Sequence, residues 1–301
     1  MEIITLYDKN KKLKVEEKVY FKNTLEFLYN GSFLSRFFVN SISRFSFFSK
    51  FIGFINNLKI SKYKIKSFIE HFQIDEKEFE KKTSDFRSFN DFFIRKLNKN
   101  ARSIDPDENV LVFPCDGRFL AIPNINDFDF FEVKNQRFNI FEFLNDKNLA
   151  DQYKNGSMLL CRLAPQDYHR FYFPSDCIPS ESKLINGHLY SVNPIALKKN
   201  IKILSQNKRM ITTLKTKNFS DVLYIEIGAT NVGSINQSFF PNTEYKKGEE
   251  KGYFSLGGSS IVLLFKKDTI VFDQDLVEMS KERIETLAHL GLRFASKKER
   301  S

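Results

Sequence analysis

Residues 257–265 read Gly257-Gly258-Ser259-Ser260-Ile261-Val262-Leu263-Leu264-Phe265. From Ile261 to Phe265 every residue is apolar, which is the pattern of a short buried strand bounded by small residues. An aromatic stretch, Gly252-Tyr253-Phe254, precedes the glycine pair and reads as a turn. Gly258 has no side chain, so its carbonyl can be approached closely and its backbone held in unusual geometry. The Ser259 hydroxyl can attack that carbonyl and convert the peptide bond into an ester. Gly and Ser are also ordinary turn residues, and four residues alone favour a plain hairpin turn.

Working outward, a chain of 301 residues is long enough for one large domain or two modest ones. A hydrophobic content of 42% and a charged content of 28% fit a folded protein and argue against general disorder. The three cysteines, Cys115, Cys161 and Cys177, form no CxxC pair, so reduced structural thiols are expected rather than a disulfide framework or a metal site. The net charge of +10 is unevenly spread. Between Phe33 and Lys66 stand Arg36, Arg44, Lys50, Lys59, Lys62, Lys64 and Lys66 with no acidic residue, interleaved with Phe33, Phe37, Phe38, Phe45, Phe47, Phe48, Phe51 and Phe54. That mixture points to an anionic surface, a membrane or a nucleic acid. No reader motif for nucleic acid is present, and the phenylalanines suit lipid better. The opening Met1-Glu2-Ile3-Ile4 lacks the pattern of a signal peptide, and no run reaches the ~18 apolar residues of a membrane span.

Residues 1–22 read as a hairpin, with Leu6-Tyr7-Asp8 leading into a lysine-rich turn. Residues 24–58 read as helical, because Leu34, Phe37, Phe38, Ile42, Phe45, Phe48, Ile52 and Ile55 recur at three- and four-residue steps. A short helix follows over 62–72, and Ser88 caps another through Phe92, Phe93 and Leu97. After Asp105-Pro106 strands dominate: 110–113, 117–122, 157–163, 222–227, 233–235 and 260–265. A final helix is expected over 281–290, with Ser280 as its cap and Gly291 as its stop. The fold class is therefore α+β: an N-terminal helical region over 1–104, then a β-rich domain over 105–301 whose core is mostly antiparallel, closed by a C-terminal helix.

Three further segments hold more reactive or small residues than a scaffold requires. Pro114-Cys115-Asp116-Gly117 sets a carboxylate in a tight turn, although Asp-Gly alone is a common hairpin pair. Pro165-Gln166-Asp167-Tyr168-His169-Arg170 gathers an acid, a phenol, an imidazole and a guanidinium. Gly228-Ala229-Thr230-Asn231-Val232-Gly233 is a small-residue turn suited to close approach.

Together these segments resemble the phosphatidylserine decarboxylase proenzymes from about Phe92 to the C-terminus. Phe92-Phe93-Ile94-Arg95-Lys96-Leu97 with Ala101-Arg102 resembles the family's FFxRxL…aR segment, and Phe113-Pro114-Cys115-Asp116-Gly117 its P-x-D-G turn. Leu163-Ala164-Pro165-Gln166-Asp167-Tyr168-His169-Arg170 resembles its LAPxDYHR segment. Gly187-His188-Leu189-Tyr190-Ser191-Val192-Asn193-Pro194 and Gly228 to Ile235 follow in family order, and Gly257-Gly258-Ser259-Ser260 is the GGSS form of the cleavage motif. Any one is weak; in this order they are specific. The first ~90 residues match only in being helical and basic.

The resemblance implies self-cleavage between Gly258 and Ser259, with Ser259 becoming a pyruvoyl group, the cofactor that forms a Schiff base with the substrate amine. The implied reaction is decarboxylation of phosphatidylserine to phosphatidylethanolamine. The implied partners are that lipid, an anionic membrane surface on the cytoplasmic face and the protein's own second cleavage chain; a homo-oligomer stays open, and no metal or nucleic acid is expected. Asp116 is the family's residue for orienting the base, and His169 a proton donor in decarboxylation. One position departs from the family. Its segment usually reads DYHR-x-H, and here Tyr172 stands where the second His does. Either His169 is the base for Ser259, or Tyr172 serves with help, or self-cleavage is slow or absent; His169 is favoured because a phenol with pKa about 10 is a poor base near neutrality. The competing readings are a decarboxylase of another serine-headed lipid, a non-catalytic homologue that binds anionic membranes, and a serine hydrolase. The last lacks a G-x-S-x-G elbow.

Overall fold

The structure is a computed structural model; it describes residues 4–17, 53–127, 138–192, 194–197, 200–229, 235–256 and 259–299. The basic phenylalanine-rich helix expected over 24–58 lies outside these residues except for its end, where 53–57 is helical. Gly257, Gly258 and 230–234 also lie outside them.

Sixteen strands are described. They are β1 (Ile4–Asp8), β2 (Leu13–Glu17), β3 (Val110–Val112), β4 (Gly117–Ile122), β5 (Ser157–Leu163), β6 (Arg170–Tyr172), β7 (Ile178–Pro179) and β8 (Lys183–Ile185) in the first half. The second half holds β9 (Arg209–Lys215), β10 (Asp221–Gly228), β11 (Ile235–Gln237), β12 (Glu250–Phe254), β13 (Ser259–Phe265), β14 (Ile270–Phe272), β15 (Glu285–Ala288) and β16 (Arg293–Lys297). A ten-stranded sheet runs β2-β1-β15-β4-β5-β13-β10-β9-β7, with β8 also on β9. Every pairing in it is antiparallel except β1 with β15. Two three-stranded sheets, β11-β12-β6 and β14-β16-β3, complete the β structure.

The apolar run after Ser259 is the middle of this sheet, and all seven residues of β13 are buried. Its unbroken hydrophobicity has a simple cause. Side chains alternate between faces along a strand, and both faces are covered. Ile261, Leu263 and Phe265 enter one core with Leu159, Cys161, Tyr224, Phe171 and Phe254, under the two small sheets. Val262 and Leu264 enter a second core with Leu160 and Ile225, under helices that contribute Phe143, Ala150, Tyr153 and Leu204. Ser259 shares the parity of Ile261 and so faces the first core.

A third cluster is helical. It joins Ile65, Phe68 and Ile69 of α1 (Tyr63–Phe72) to Phe89, Phe92 and Phe93 of α2 (Phe89–Phe93), with Phe79 and Phe86 between. Ser88 caps α2 by accepting from the Asp91 N–H at 3.1 Å, as its sequence predicts. The helix stops at Phe93, and Leu97 makes a bridge to Phe79 instead of continuing it.

Three expectations are corrected. Gly252-Tyr253-Phe254 is strand within β12, not a turn. The hairpin is an edge of the main sheet rather than part of a separate N-terminal unit, because β1 lies beside β15 and Glu17 pairs with Arg118 and Arg162 in the core. The last helix spans Gln274–Lys281, and Glu285–Ala288 is strand. Ser280 lies inside that helix, its hydroxyl donating to the Leu276 carbonyl at 2.8 Å. The slot between β1 and β4 decides the fate of 285–288, since an extended chain there satisfies backbone groups on both sides. Gly291 does end an element, but as a φ +90° turn residue between β15 and β16, where a Cβ would meet the Ser103 carbonyl oxygen at 2.3 Å.

Candidate active site

Ser259 opens β13 and is fully buried, held between Gly228 of β10 and Leu163 of β5. His169 stands just before β6 and is equally buried. The imidazole Nδ1 lies 3.5 Å from Ser259 Oγ. The other ring nitrogen, Nε2, lies 3.0 Å from the Ala164 carbonyl oxygen. A carbonyl only accepts, so Nε2 carries the proton and Nδ1 turns its lone pair to the serine. That is the tautomer a general base requires, at the loose separation common in a resting site.

The segment following β5 is built to hold that ring. The Ala164 N–H donates to Asp167 Oδ2 at 2.6 Å, and the Asp167 N–H donates back to the Ala164 carbonyl at 2.9 Å. Arg118, from β4, grips the same Asp167 oxygen. Phe93 of α2 stacks on the imidazole with centroids 4.0 Å apart and planes 27° apart. The Phe254 N–H donates to the His169 carbonyl at 2.9 Å. Burial, then the positive charge of Arg95, pull the imidazole pKa down to about 3. His169 is therefore neutral at physiological pH.

The structure brings Ser259 and His169 together, but no hydrogen bond joins Asp116 to His169. The Asp116 carboxylate is taken up by Arg102, at 2.6 Å from Nη2 and 3.0 Å from Nε, and by the Leu290 N–H at 2.8 Å. Burial would raise its pKa, but the bonds and charge of Arg102 outweigh that and hold it below the usual carboxylate value. Tyr172 is occupied by Tyr168, hydroxyl to hydroxyl at 2.7 Å. Burial and that neighbour push its pKa up, so the phenol keeps its proton at neutral pH. Gly258, the other half of the scissile bond, lies outside the described residues. The approach to it is anchored where the Leu256 N–H donates to Asn90 Oδ1 of α2 at 3.2 Å.

Phe93, Arg95 and Ala164 stand in segments that resemble the family's motifs, but residue type does not signal their roles: Ala164 acts through its backbone, Phe93 through a ring face, and Arg95 and Arg118 through tertiary placement. The buried pair Lys251 and Glu226, 2.5 Å apart, lies on the Ser259 face of the sheet, and in the sequence each residue looks like an ordinary strand charge. Among the described residues no cluster of His, Cys, Asp or Glu is suited to a metal ion. All three cysteines are free and buried.

A buried serine opening a central strand, with a neutral imidazole acceptor and no elbow turn into a helix, defines a serine-centred site unlike that of the α/β-hydrolases. Residues 89–286 match the model of the phosphatidylserine decarboxylase family. The chain belongs to that family. It is similar to the phosphatidylserine decarboxylase proenzyme of Chlamydia pneumoniae, 44% identical over 94% of this chain and 94% of that one. The proenzymes of Fusobacterium nucleatum, 45% identical over 94% of each chain, and of Clostridium novyi, 44% identical over 98% of this chain and all of the other, are also similar.

Proposed function

We propose that the chain is a proenzyme that cuts itself between Gly258 and Ser259 and then decarboxylates phosphatidylserine to phosphatidylethanolamine. The observation that carries the reading is the pairing of Ser259 Oγ with the unprotonated Nδ1 of His169 in a buried site. His169 takes the hydroxyl proton as Oγ attacks the Gly258 carbonyl carbon and passes it to the residue 259 nitrogen as the C–N bond breaks, so the peptide becomes an ester with a free amine. Loss of the residue 259 α-proton expels the Gly258 carboxylate and leaves a dehydroalanine. Addition of water and loss of ammonia convert it to the pyruvoyl group. The site fits that group, because residue 259 stays fixed by its strand pairing to Gly228 and Leu163 after the cut. Once formed, the pyruvoyl supplies an electron sink for the departing carboxylate. His169 then stands at the same atom to hold or return a proton. Asp116 enters as a positioning residue, tying Arg102 and the Leu290 turn together behind the site.

The two products, 1–258 and 259–301, would remain one particle. The smaller carries β13 and β15, each seated between strands of the larger chain. Docking to a membrane is supported by Phe54, Leu58, Ile60 and Tyr63, which are exposed together and interspersed with Lys59, Lys62 and Lys64. Among the described residues no helix is long and apolar enough to cross a membrane. The attachment proposed on these exposed residues is peripheral, at the cytoplasmic face.

The decisive experiment is intact mass under denaturing conditions. Wild-type protein should give two fragments meeting between Gly258 and Ser259, the smaller blocked at its N-terminus. Ser259→Ala should stay a single chain of 35.4 kDa. A split Ser259→Ala variant, or an unsplit wild type, defeats the reading.

A further inference from the structure

Strand β12 ends at Phe254 in one sheet and β13 begins at Ser259 in another, so 255–258 carry the chain across. The approach to the scissile bond is tied down residue by residue. The Phe254 N–H donates to the His169 carbonyl at 2.9 Å, and the Ser255 hydroxyl accepts from Asn236 Nδ2 at 3.1 Å. The Leu256 N–H donates to Asn90 Oδ1 at 3.2 Å, and the Leu256 side chain packs against the helical cluster. On the far side Ser259 is fixed by its pairing with Gly228 and Leu163. Among the described residues, Asn90 is the last side chain to hold the backbone ahead of the bond.

The two residues between those anchors are glycines. Glycine has the widest range of backbone angles, so the geometry of a Gly-Gly link must be imposed by what flanks it. Attack by Ser259 Oγ needs the Gly258 carbonyl carbon at near-contact distance, and a displacement of about 1 Å slows such a step heavily.

Asn90 is placed to supply that constraint. The start of α2 is held where the Phe89 N–H donates to Ser61 Oγ at 2.9 Å, and its end where Arg170 Nη2 donates to the Ile94 carbonyl at 2.9 Å. A backbone N–H only donates, so the Asn90 oxygen must face Leu256, and its amide nitrogen is turned to Asn57 Oδ1 at 2.9 Å. Both ends of the amide are engaged. Three residues on, Phe93 shares the helix face of Asn90 and stacks on His169. One helical turn thus carries the hold on the cleavage segment and the hold on the base.

We propose that Asn90 is a positioning residue for self-cleavage, a role that rests on the self-cleavage reading above. It sets the Gly258 carbonyl against Ser259 Oγ while Phe93 sets His169. Asn90 acts through the Leu256 backbone, and its contribution is made before the ester forms.

The test uses the full chain made by cell-free synthesis, with the two fragments timed on a denaturing gel. Asn90→Ala should split about ten- to hundred-fold more slowly than wild type. Asn90→Asp keeps an oxygen for the Leu256 N–H and loses the donor to Asn57, and should recover most of the rate. Ile65→Val trims the same helical cluster without touching either hold; it should lower stability to urea and split at the wild-type rate. If Asn90→Ala fails to fold, Asn90→Ser, whose oxygen sits one bond closer to the backbone, gives the same comparison with Asn90→Asp. Hydroxylamine at neutral pH cleaves esters far faster than peptide bonds, and it should not hasten splitting of the slow variant. A wild-type rate in Asn90→Ala, no recovery in Asn90→Asp, equal slowing in Ile65→Val, or rapid release of fragments by hydroxylamine would overturn the role and leave self-cleavage intact. A wild-type chain that stays whole would defeat the self-cleavage reading, and this role with it.

Discussion

His169 shows how one residue's surroundings set its use. Its tautomer is chosen by the Ala164 carbonyl, and its neutrality by burial and Arg95. A low pKa keeps the lone pair free but makes the ring a reluctant proton acceptor. A step that happens once per molecule tolerates that reluctance better than one repeated every turnover. His169→Ala should therefore leave a full-length band on a denaturing gel, and full cleavage would remove it as the base. The pH dependence follows from the sign of the shift. The folded pKa, about 3, lies below the ordinary 6.5, so the unfolded chain binds the extra proton between those values. This group's stabilisation is present above pH 6.5 and is lost as pH falls towards 3, by up to about 1.4 kcal/mol per pH unit. Self-cleavage followed by gel should accordingly show no inflection near pH 6.5. A bell or step centred there would mean that a different or less buried base operates.

At the scale of elements, β10 and β12 belong to different sheets and are joined by the Lys251–Glu226 pair, with Thr212 Oγ1 at 3.0 Å and Gln237 Oε1 at 2.9 Å from the ammonium. Tyr224, Phe171 and Phe239 surround the lysine. Removing one partner leaves the other charge in an apolar core. Lys251→Met should lower unfolding stability by about 3–5 kcal/mol, measured by urea titration of uncleaved protein, and adding Glu226→Gln should restore much of the loss. Equal stability of the single and double variants would show that the pair is not coupled. The same scale explains the helix that moved. Apolar residues near 284–290 suit either period, and only the vacancy between β1 and β4 selects a strand.

For the whole molecule, three packed units meet at Ser259: the two-faced sheet, the β6-β12 sheet behind His169, and the helical cluster whose Phe93 covers the imidazole. Tyr63 opens α1, the helix that contributes Ile65, Phe68 and Ile69 to that cluster, and Tyr63, Phe54 and Ile60 are exposed, so the surface proposed to meet lipid adjoins the cluster. Uncleaved or cleaved, the full chain should pellet with vesicles containing anionic lipid more than with neutral ones, and added salt should release it. Equal pelleting with both, or with neither, would argue against electrostatic docking. The central strands β4, β5, β10 and β13 were legible because their hydrophobicity is nearly continuous, whereas β9, with its two threonines and charged ends, was not. Short strands such as β6, β7 and β14 were not, because two or three residues carry too little periodicity.

The sequence alone singled out Ser259 as the nucleophile of the proposed self-cleavage. Glycines and serines before an apolar run favour a turn by themselves; their order with the Asp116, His169 and Gly228 segments, through the resemblance to the family, is what marks Ser259. It also located the departure at Tyr172. What only the tertiary structure decided is how His169 is set for the role proposed for it. The ring tautomer depends on a backbone carbonyl and the pKa on burial. Neither is a property of residue type or spacing; each arises when segments distant in the chain are packed against one another.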